Sequence, residues 1–434
     1  VDPIFGSAVL LLLLFVFLAA GVWIAIALIA VSAIGMMVFT DAPAGLVMAT
    51  TIWANSSTWT LTALPLFIWM GEILFRTRIS EDLFRGLAPW MNWLPGRLLH
   101  TNVFGCAMFA TVSGSSTATC ATVGRMTLPE LGMRRYPESL SVGSLSGAST
   151  LGLMIPPSIT MIVYGLTAQV SISKLFIAGI LPGIALMLLF GGYIVIWSLA
   201  NRKEMPAADP RVPLRQRIAA SRRLLPIIGL MIGVIGSIYA GIATATEAAI
   251  LGVVGSLLIA AASGGLTRET FWESAMSAMR TSTMIAFILA GSSFMSVMVG
   301  FLGIPRMITE AIGGLGLSPP MLLVLLTLFF VLLGCVLDGI SIIVLTSAIL
   351  LPLVSSAGFD LIWFGIYLVL VIEMSMITPP VGFNLFVLKA MTNRSIGFIA
   401  GASAPFFALM LLLVALLYIW PGMATTLPRY MMGG

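Results

Sequence analysis

The sequence predicts an all-α membrane protein made of two inverted-topology repeats, each with about five transmembrane spans, a re-entrant helical hairpin and a broken helix. Three observations carry this reading. First, 59% of the 434 residues are hydrophobic and only 9% are charged, against about 25% charged in soluble domains. Second, apolar runs long enough for a spanning helix recur, as at 175–200 and 396–420, whereas a β-barrel would show roughly ten-residue alternating segments. Third, the polar run Ser113-Gly114-Ser115-Ser116-Thr117-Ala118-Thr119, followed by Met154-Ile155-Pro156-Pro157-Ser158, has a counterpart. In the second half Leu337-Asp338-Gly339-Ile340-Ser341 precedes Ile377-Thr378-Pro379-Pro380-Val381-Gly382. Ser115 to Pro156 and Asp338 to Pro379 are both 41 positions, and the shift of 223 also superposes Leu128-Pro129 on Leu351-Pro352.

In chain order, two spans at 7–20 and 22–39 come first. No basic n-region precedes them, so the run reads as retained and not as a cleaved signal peptide. A polar loop free of Lys and Arg reaches about Thr60, and a third span from Leu61 to Phe75 ends at Arg76 and Arg78. Residues 79–93 set Ile79, Leu83, Leu87 and Trp90 at helical spacing among Glu81, Asp82 and Arg85. That pattern predicts an amphipathic helix along the membrane surface.

Limbs 98–112 and 116–130 are about 20 to 22 Å long, too short for a ~30 Å hydrocarbon core. Arg97 lies at one base and Arg134 with Arg135 at the other, so 98–130 reads as a hairpin that enters from the cytoplasm and turns back. A broken helix at 139–168 is interrupted at Ile155-Pro156-Pro157, and 175–200 returns. This completes a first unit, 1–200, and the basic loop 201–223 follows. The second unit, 224–434, repeats the plan with spans at 224–244, 246–263 and 281–300 and a surface helix near 304–316. Its hairpin, 319–354, has limbs near 319–334 and 340–354, and a broken helix at 361–391 and a span at 396–420 end it.

An odd number of crossings per unit requires the second to be inverted. Charge tests this separately: loops assigned inside hold 18 of the 21 Lys and Arg, and only Lys174, Arg306 and Arg429 are left outside. Seven of the 18 lie in 201–223, a cytoplasmic loop by the positive-inside rule. Both termini are then expected outside the cytoplasm. Basic charge distributed in this way points to the lipid bilayer as the partner, with no nucleic acid. Cys106, Cys120 and Cys335 lie in apolar segments without metal-ligand spacing and read as packing residues.

Backbone freed from helical hydrogen bonding at membrane depth is tolerated only where it lines a cavity or is buried in protein. In secondary transporters, half-helix N-termini of this kind face anionic substrate groups, while unwound carbonyls and C-terminal ends coordinate a cation. Two equivalent tips predict at least two cation sites, with oxygen donors suited to Na⁺. The first comprises Ser113, Gly114, Ser115, Ser116, Gly152, Ile155 and Pro156. The second comprises Asp338, Gly339, Ser341, Thr378, Pro379 and Gly382, and only Asp338 brings a charge that balances the ion directly. Substrate is expected between the tips, with Ser116, Thr117, Ser158 and Asn384 as its contacts. For each hydroxyl the competing reading is helix capping or back-bonding. Glu72, Glu247 and Glu373 are intramembrane carboxylates and so functional candidates, although Glu72 and Glu247 are also near helix ends. Arg125 reads as a snorkelling anchor. An enzyme lacks residues to run it: His100 is the sole histidine, and no nucleophile–base pair or catalytic aspartate pair is present.

Four stretches together resemble the large membrane subunit of tripartite ATP-independent periplasmic (TRAP) transporters. They are Phe109 to Thr119, Gly152-Leu153-Met154-Ile155-Pro156-Pro157-Ser158, Thr246-Glu247-Ala248-Ala249, and Ile377 to Leu385. The similarity covers nearly the whole chain. It implies Na⁺-coupled uptake of small carboxylates or related organic anions across a bacterial inner membrane, with substrate delivered by a periplasmic substrate-binding protein. It also implies a small four-helix membrane subunit as a separate polypeptide, and an elevator motion of hairpins and broken helices against a scaffold. By the same resemblance Ser115, Ser116, Ile155 and Pro156 match the first Na⁺ region, and Asp338, Thr378 and Gly382 the second. Gly124-Arg125 departs from the family pattern, where a small residue follows the glycine. The alternative reading is a binding-protein-independent Na⁺/anion symporter of similar architecture.

Overall fold

Helices form every regular element in the computed structural model, which describes residues 3–77, 79–207, 213–307, 310 and 318–432. Six helices are long and apolar enough to cross a membrane, or eight if each of two bent pairs counts as one span. Their number, length and composition are those of an all-α, multi-pass membrane protein. N-caps explain many boundaries. Ser158, Ser171, Thr244, Thr267, Asp360 and Ser395 each accept a backbone N–H from the first turn of the helix that follows, satisfying donors that a helix end leaves open.

The first two helices, Pro3–Ala19 and Ile24–Phe39, follow expectation. The stretch 40–60, expected as a polar loop, instead contains Ala44–Ser56, bent by 57° from Trp59–Phe75. Polar side chains mask a helical segment: Thr50 returns its hydroxyl to the Leu46 carbonyl at 2.8 Å and Asn55 its amide to the Thr51 carbonyl at 2.9 Å, while Leu46 and Trp53 are exposed on the outside. Ile79–Met91 is the amphipathic helix, with Leu83, Leu87 and Met91 buried.

The first hairpin is His100–Ser113 and Ser116–Met133, and its limbs pack along one another. The first broken span is Glu138–Ser149, Leu151–Met154 and Ile159–Thr167, with a 42° bend at the break. Ile172–Ala200 follows. Part of the basic loop is helical, because Leu214–Ser221 runs on toward Leu225–Tyr239. After Ala245–Ala262, the helix expected at 281–300 begins earlier and extends over Arg268–Phe301. At about 1.5 Å per residue it is about 50 Å long, so its charged first turns project beyond the hydrocarbon, and hydropathy did not mark them as helical. The surface helix near 304–316 falls mostly outside the described residues, as do Arg78, Asp209 and Arg211.

The second hairpin is Pro319–Gly334 and Gly339–Ser356. Its limbs lean outward on other helices, Pro319–Gly334 on Leu361–Met376 and Gly339–Ser356 on Arg268–Phe301. The second broken span is Leu361–Met376 and Phe383–Thr392, and Ile396–Ile419 follows. A last helix, Gly422–Met432, was not expected, and it packs on Ile172–Ala200.

Small residues set the closest approaches, as is usual where lipid removes the hydrophobic drive between helices. Gly143 and Gly147, four apart on Glu138–Ser149, lie against Ala402 and Phe406 of Ile396–Ile419, where any Cβ would collide. Two groups of helices result. Ile24–Phe39, Ala63–Phe75, Leu225–Tyr239, Ala245–Ala262 and Arg268–Phe301 pack mainly with each other, and the hairpins and broken spans form the second group.

Candidate functional site

The first hairpin turns at Gly114, whose φ of 56° is left-handed backbone that glycine adopts without a Cβ penalty. A Cβ there would lie 3.1 Å from the Pro157 carbonyl oxygen and 3.3 Å from Ile159 Cγ1. From the other side, a Cβ on Gly152 would lie 2.8 Å from the Ser115 carbonyl oxygen and 2.9 Å from Ser116 Cα. Tip and break therefore touch backbone to backbone.

Hydroxyls tie the tip together. Ser115 caps Ser116–Met133 by accepting the Ala118 N–H at 3.4 Å. Ser113 Oγ is 2.8 Å from Thr119 Oγ1, which donates to the Ser115 carbonyl at 2.7 Å. Thr117 Oγ1 is 3.3 Å from Ser115 Oγ. Across the break, Ser158 caps Ile159–Thr167 by accepting the Met161 N–H at 3.3 Å. Ile155 and Pro156 form the break itself, half-buried and buried respectively.

The second pair is built on the same plan. Asp338 caps Gly339–Ser356, accepting the N–H groups of Ile340 at 3.1 Å and Ser341 at 3.4 Å and the Ser341 hydroxyl. A Cβ on Gly339 would lie 2.6 Å from Ile372 Cγ2, and one on Gly334 would collide with Ser375. The Cys335 thiol lies 3.2 Å from both the Pro379 carbonyl and the Val331 carbonyl of its own helix, so this tip also rests on its break. Thr378 donates to the Met374 carbonyl at 2.7 Å, and Gly382 turns with φ 45° against the Thr378 carbonyl. Both breaks contain a cis Pro-Pro bond, Pro156-Pro157 and Pro379-Pro380. They differ in exposure: the first is buried, while Pro379 and Pro380 are exposed.

Asn384 joins the halves. Its amide donates to Ser116 Oγ at 2.8 Å and Ser149 Oγ at 3.0 Å, and Ser116 donates to the Ser149 carbonyl at 3.1 Å. The starts of Ser116–Met133 and Phe383–Thr392 thus meet, with the start of Ile159–Thr167 beside the same tip. Three half-helix N-termini produce a locally positive field suited to an anion.

The three carboxylates separate by environment. Glu72 pairs with Arg76 at the end of its helix. Glu247 forms a capping box with Thr244, which satisfies two helix-end donors. Glu373 is fully buried on Leu361–Met376, and neither carboxyl oxygen has a hydrogen-bond partner. Arg125 is exposed.

Sequence reading missed Ser149 and the serines ahead of it. Ser141, Ser144, Ser146 and Ser149 are buried in Glu138–Ser149, and Asn102 donates to Ser144 Oγ at 2.9 Å. A run of serines inside an apolar span was the available signal. A cavity of about 560 Å³ is lined by Asn55, Thr58, Trp59, Gln169, Ser171 and Thr244 among others. None of its described lining residues is charged, and none of the expected substrate residues lines it.

Residues 11–423 match the family described as the DctM component of the tripartite ATP-independent periplasmic transporter. A C4-dicarboxylate TRAP transporter large permease protein of Pseudomonas aeruginosa is 32% identical over 385 residues, covering 88% of this chain and 90% of that one. An ectoine/5-hydroxyectoine TRAP transporter large permease protein of Ruegeria pomeroyi is 30% identical over 423 residues, covering 96% and 97%. Among solved structures, the Alcanivorax borkumensis YdaH transporter superposes with a TM-score of 0.66 over 95% of this chain and 99% of that one. At 12% identity that likeness speaks for the fold alone.

Proposed function

The chain belongs to the DctM family, the large permease subunits of tripartite transporters that work with a substrate-binding protein, and on that premise we propose that it carries out Na⁺-coupled uptake of a small organic anion by an elevator motion. The observation that carries this reading is the repeated contact of tip on break, Gly114 and Gly152 in one half, Gly334 and Gly339 in the other. Each seam offers carbonyl, hydroxyl or carboxylate oxygens beside half-helix ends. Oxygen-only donors fit a hard monovalent cation, and the Cys335 thiol is already engaged by the Val331 and Pro379 carbonyls. At the first seam the ion is assigned to Ser113, Gly114, Ser115, Ser116, Gly152, Ile155 and Pro156. At the second it is assigned to Asp338, Gly339, Ser341, Thr378, Pro379 and Gly382. The anion is assigned to the N-terminal ends between the tips, at Ser116, Thr117, Ser158 and Asn384.

Bonds across the two halves support a moving block. Besides Asn384 on Ser116, the Tyr164 hydroxyl donates to the Leu361 carbonyl at 2.6 Å and Ser403 to Ser146 Oγ at 2.6 Å. The block meets the remaining spans where Gly339–Ser356 lies on Arg268–Phe301 and His100–Ser113 on Ala63–Phe75. We assign the chain to a bacterial inner membrane with both termini periplasmic, its two halves inverted, beside a small four-helix subunit. The polar cavity, among loops assigned outside, is then the mouth toward the binding protein.

C4-dicarboxylates are the first substrates to test. With the complex in proteoliposomes and binding protein supplied, uptake of labelled succinate or malate is expected to require an inward Na⁺ gradient. Uptake unchanged on replacing NaCl by choline chloride overturns the Na⁺ coupling, and uptake without the binding protein favours the independent symporter.

A further inference from the structure

We propose that Glu373 is the fixed negative charge of the first cation site, brought to it from the other half of the chain, an assignment that rests on the Na⁺ reading above. Glu373 is the one acidic side chain fully buried among the described residues. Its helix, Leu361–Met376, packs on Leu151–Met154, the half-helix that ends at the first break. Ser116 and the Leu153 main chain are its polar neighbours, and neither completes a well-formed hydrogen bond to the carboxyl.

An ionised carboxylate held dry without a partner is among the costliest groups a protein can bury. A proton or a cation has to relieve it, because no side chain completes a hydrogen bond to it. The single proton of Ser116 is committed to the Ser149 carbonyl, and both bonds from the Asn384 amide go to Ser116 and Ser149. The half-helix N-termini lend a favourable field but no hydrogen bond. In the same network the Asn384 side-chain oxygen is also buried and unpartnered. The unmet demand around Ser116 thus comes from three acceptor oxygens, two on Glu373 and one on Asn384. A cation meets that demand, and the adjacent C-terminal end of Leu151–Met154 and the Ser115 carbonyl supply further oxygens for it.

The two seams are then matched in charge as well as in shape. Asp338 is local to the second tip, while the first tip, whose equivalent position is the neutral Ser115, borrows its charge from the second broken span. The first ion therefore binds only when the two halves are seated against each other.

The test uses the purified complex of large and small subunits, titrated with NaCl against choline chloride at constant ionic strength. Thermal stability and proteoliposome uptake are both read. Glu373→Gln is expected to raise the half-saturating NaCl about tenfold or more, the loss of one charge-assisted contact. Glu373→Asp, which keeps the charge one methylene further back, is expected to respond to NaCl at a several-fold higher concentration. A wild-type complex indifferent to NaCl refutes the Na⁺ reading itself. A wild type that responds, with Glu373→Gln on the same curve, refutes only the role of Glu373. If Glu373→Gln does not fold, an unchanged NaCl curve in Glu373→Asp refutes it equally.

Discussion

Gly152→Ala tests the seam with a single methyl group. Its Cβ would lie 2.8 Å from the Ser115 carbonyl oxygen and 2.9 Å from Ser116 Cα. Both neighbours are backbone, so neither can rotate away. Restoring ordinary contact at 3.4 Å needs a retreat of about 0.6 Å between tip and break. Overpacking of this kind costs about 1–3 kcal/mol, partly offset by the roughly 1 kcal/mol that Ala gains over Gly within a helix. The net change in Tm without Na⁺ is therefore small. The effect on the cation is not small, because coordination distances tolerate only about 0.2 Å. Half-saturating NaCl in a thermal-shift titration is expected to rise more than about tenfold, equivalent to ~1.4 kcal/mol, with uptake falling in parallel. Gly233→Ala is the control, since a Cβ there meets nothing within 4 Å. A Gly152→Ala complex that binds Na⁺ like the wild type would show that the seam holds no ion.

Asp338→Asn is expected to weaken Na⁺-dependent uptake while leaving the Tm without Na⁺ nearly unchanged, because Asn caps a helix about as well as Asp and only the charge is lost. Wild-type Na⁺ dependence in this variant would remove Asp338 from the second site. Asn384→Leu deletes two buried bonds and is expected to destabilise the complex by about 1–2 kcal/mol, read as a lower Tm in detergent. Lost uptake with an unchanged Tm would instead mark Asn384 as a substrate contact whose bonds carry no stability. Glu138, at the solvent-exposed end of the first broken span, is hydrogen-bonded to Arg394 at 2.7 Å and 2.6 Å, and that bond holds its carboxyl below the usual range. A depressed native pKa stabilises above the unfolded value of about 4.3, and the contribution is lost as pH falls through the native value. Half-exposed side chains screen the pair, so the Tm difference between wild type and Glu138→Gln is expected to be small at pH 7 and absent in acid. A difference that persists in acid would rule out the ion pair as its source.

The tips and breaks were legible because they interrupt something regular. Ser113 to Thr119 and the two Pro-Pro pairs violate the apolar helical pattern, and their equal spacing made them visible as a set. Each is seen as a turn or break in the fold. Helix limits were less legible. Ala44–Ser56 is punctuated by polar residues, of which Thr50 and Asn55 bond back to their own helix, and Arg268–Phe301 is longer than the bilayer is thick, so hydropathy does not track all of it. Pairings between distant elements left no local trace. Asn384 and Ser116 are 268 positions apart, and their meeting depends on how two halves dock, a property of topology that no periodicity encodes. Glu373 was visible as an odd charge in an apolar run, but its neighbours were not.

With cation and anion at the sites proposed above, those pairings constrain the order of events. A cation in the first seam joins elements otherwise held by backbone contact and a few serine bonds, Ser115 on one side and Gly152 on the other. Glu373 and Asn384 add the second broken span to the same point, so occupying the seam seats one half of the block on the other. Only then are the starts of Ser116–Met133, Ile159–Thr167 and Phe383–Thr392 fixed around one point with the local carboxylate neutralised. An anion approaching earlier would meet the uncompensated charge proposed for Glu373 and be repelled. The role proposed for that carboxylate therefore predicts cation first, anion second, and with it the coupling of one flux to the other.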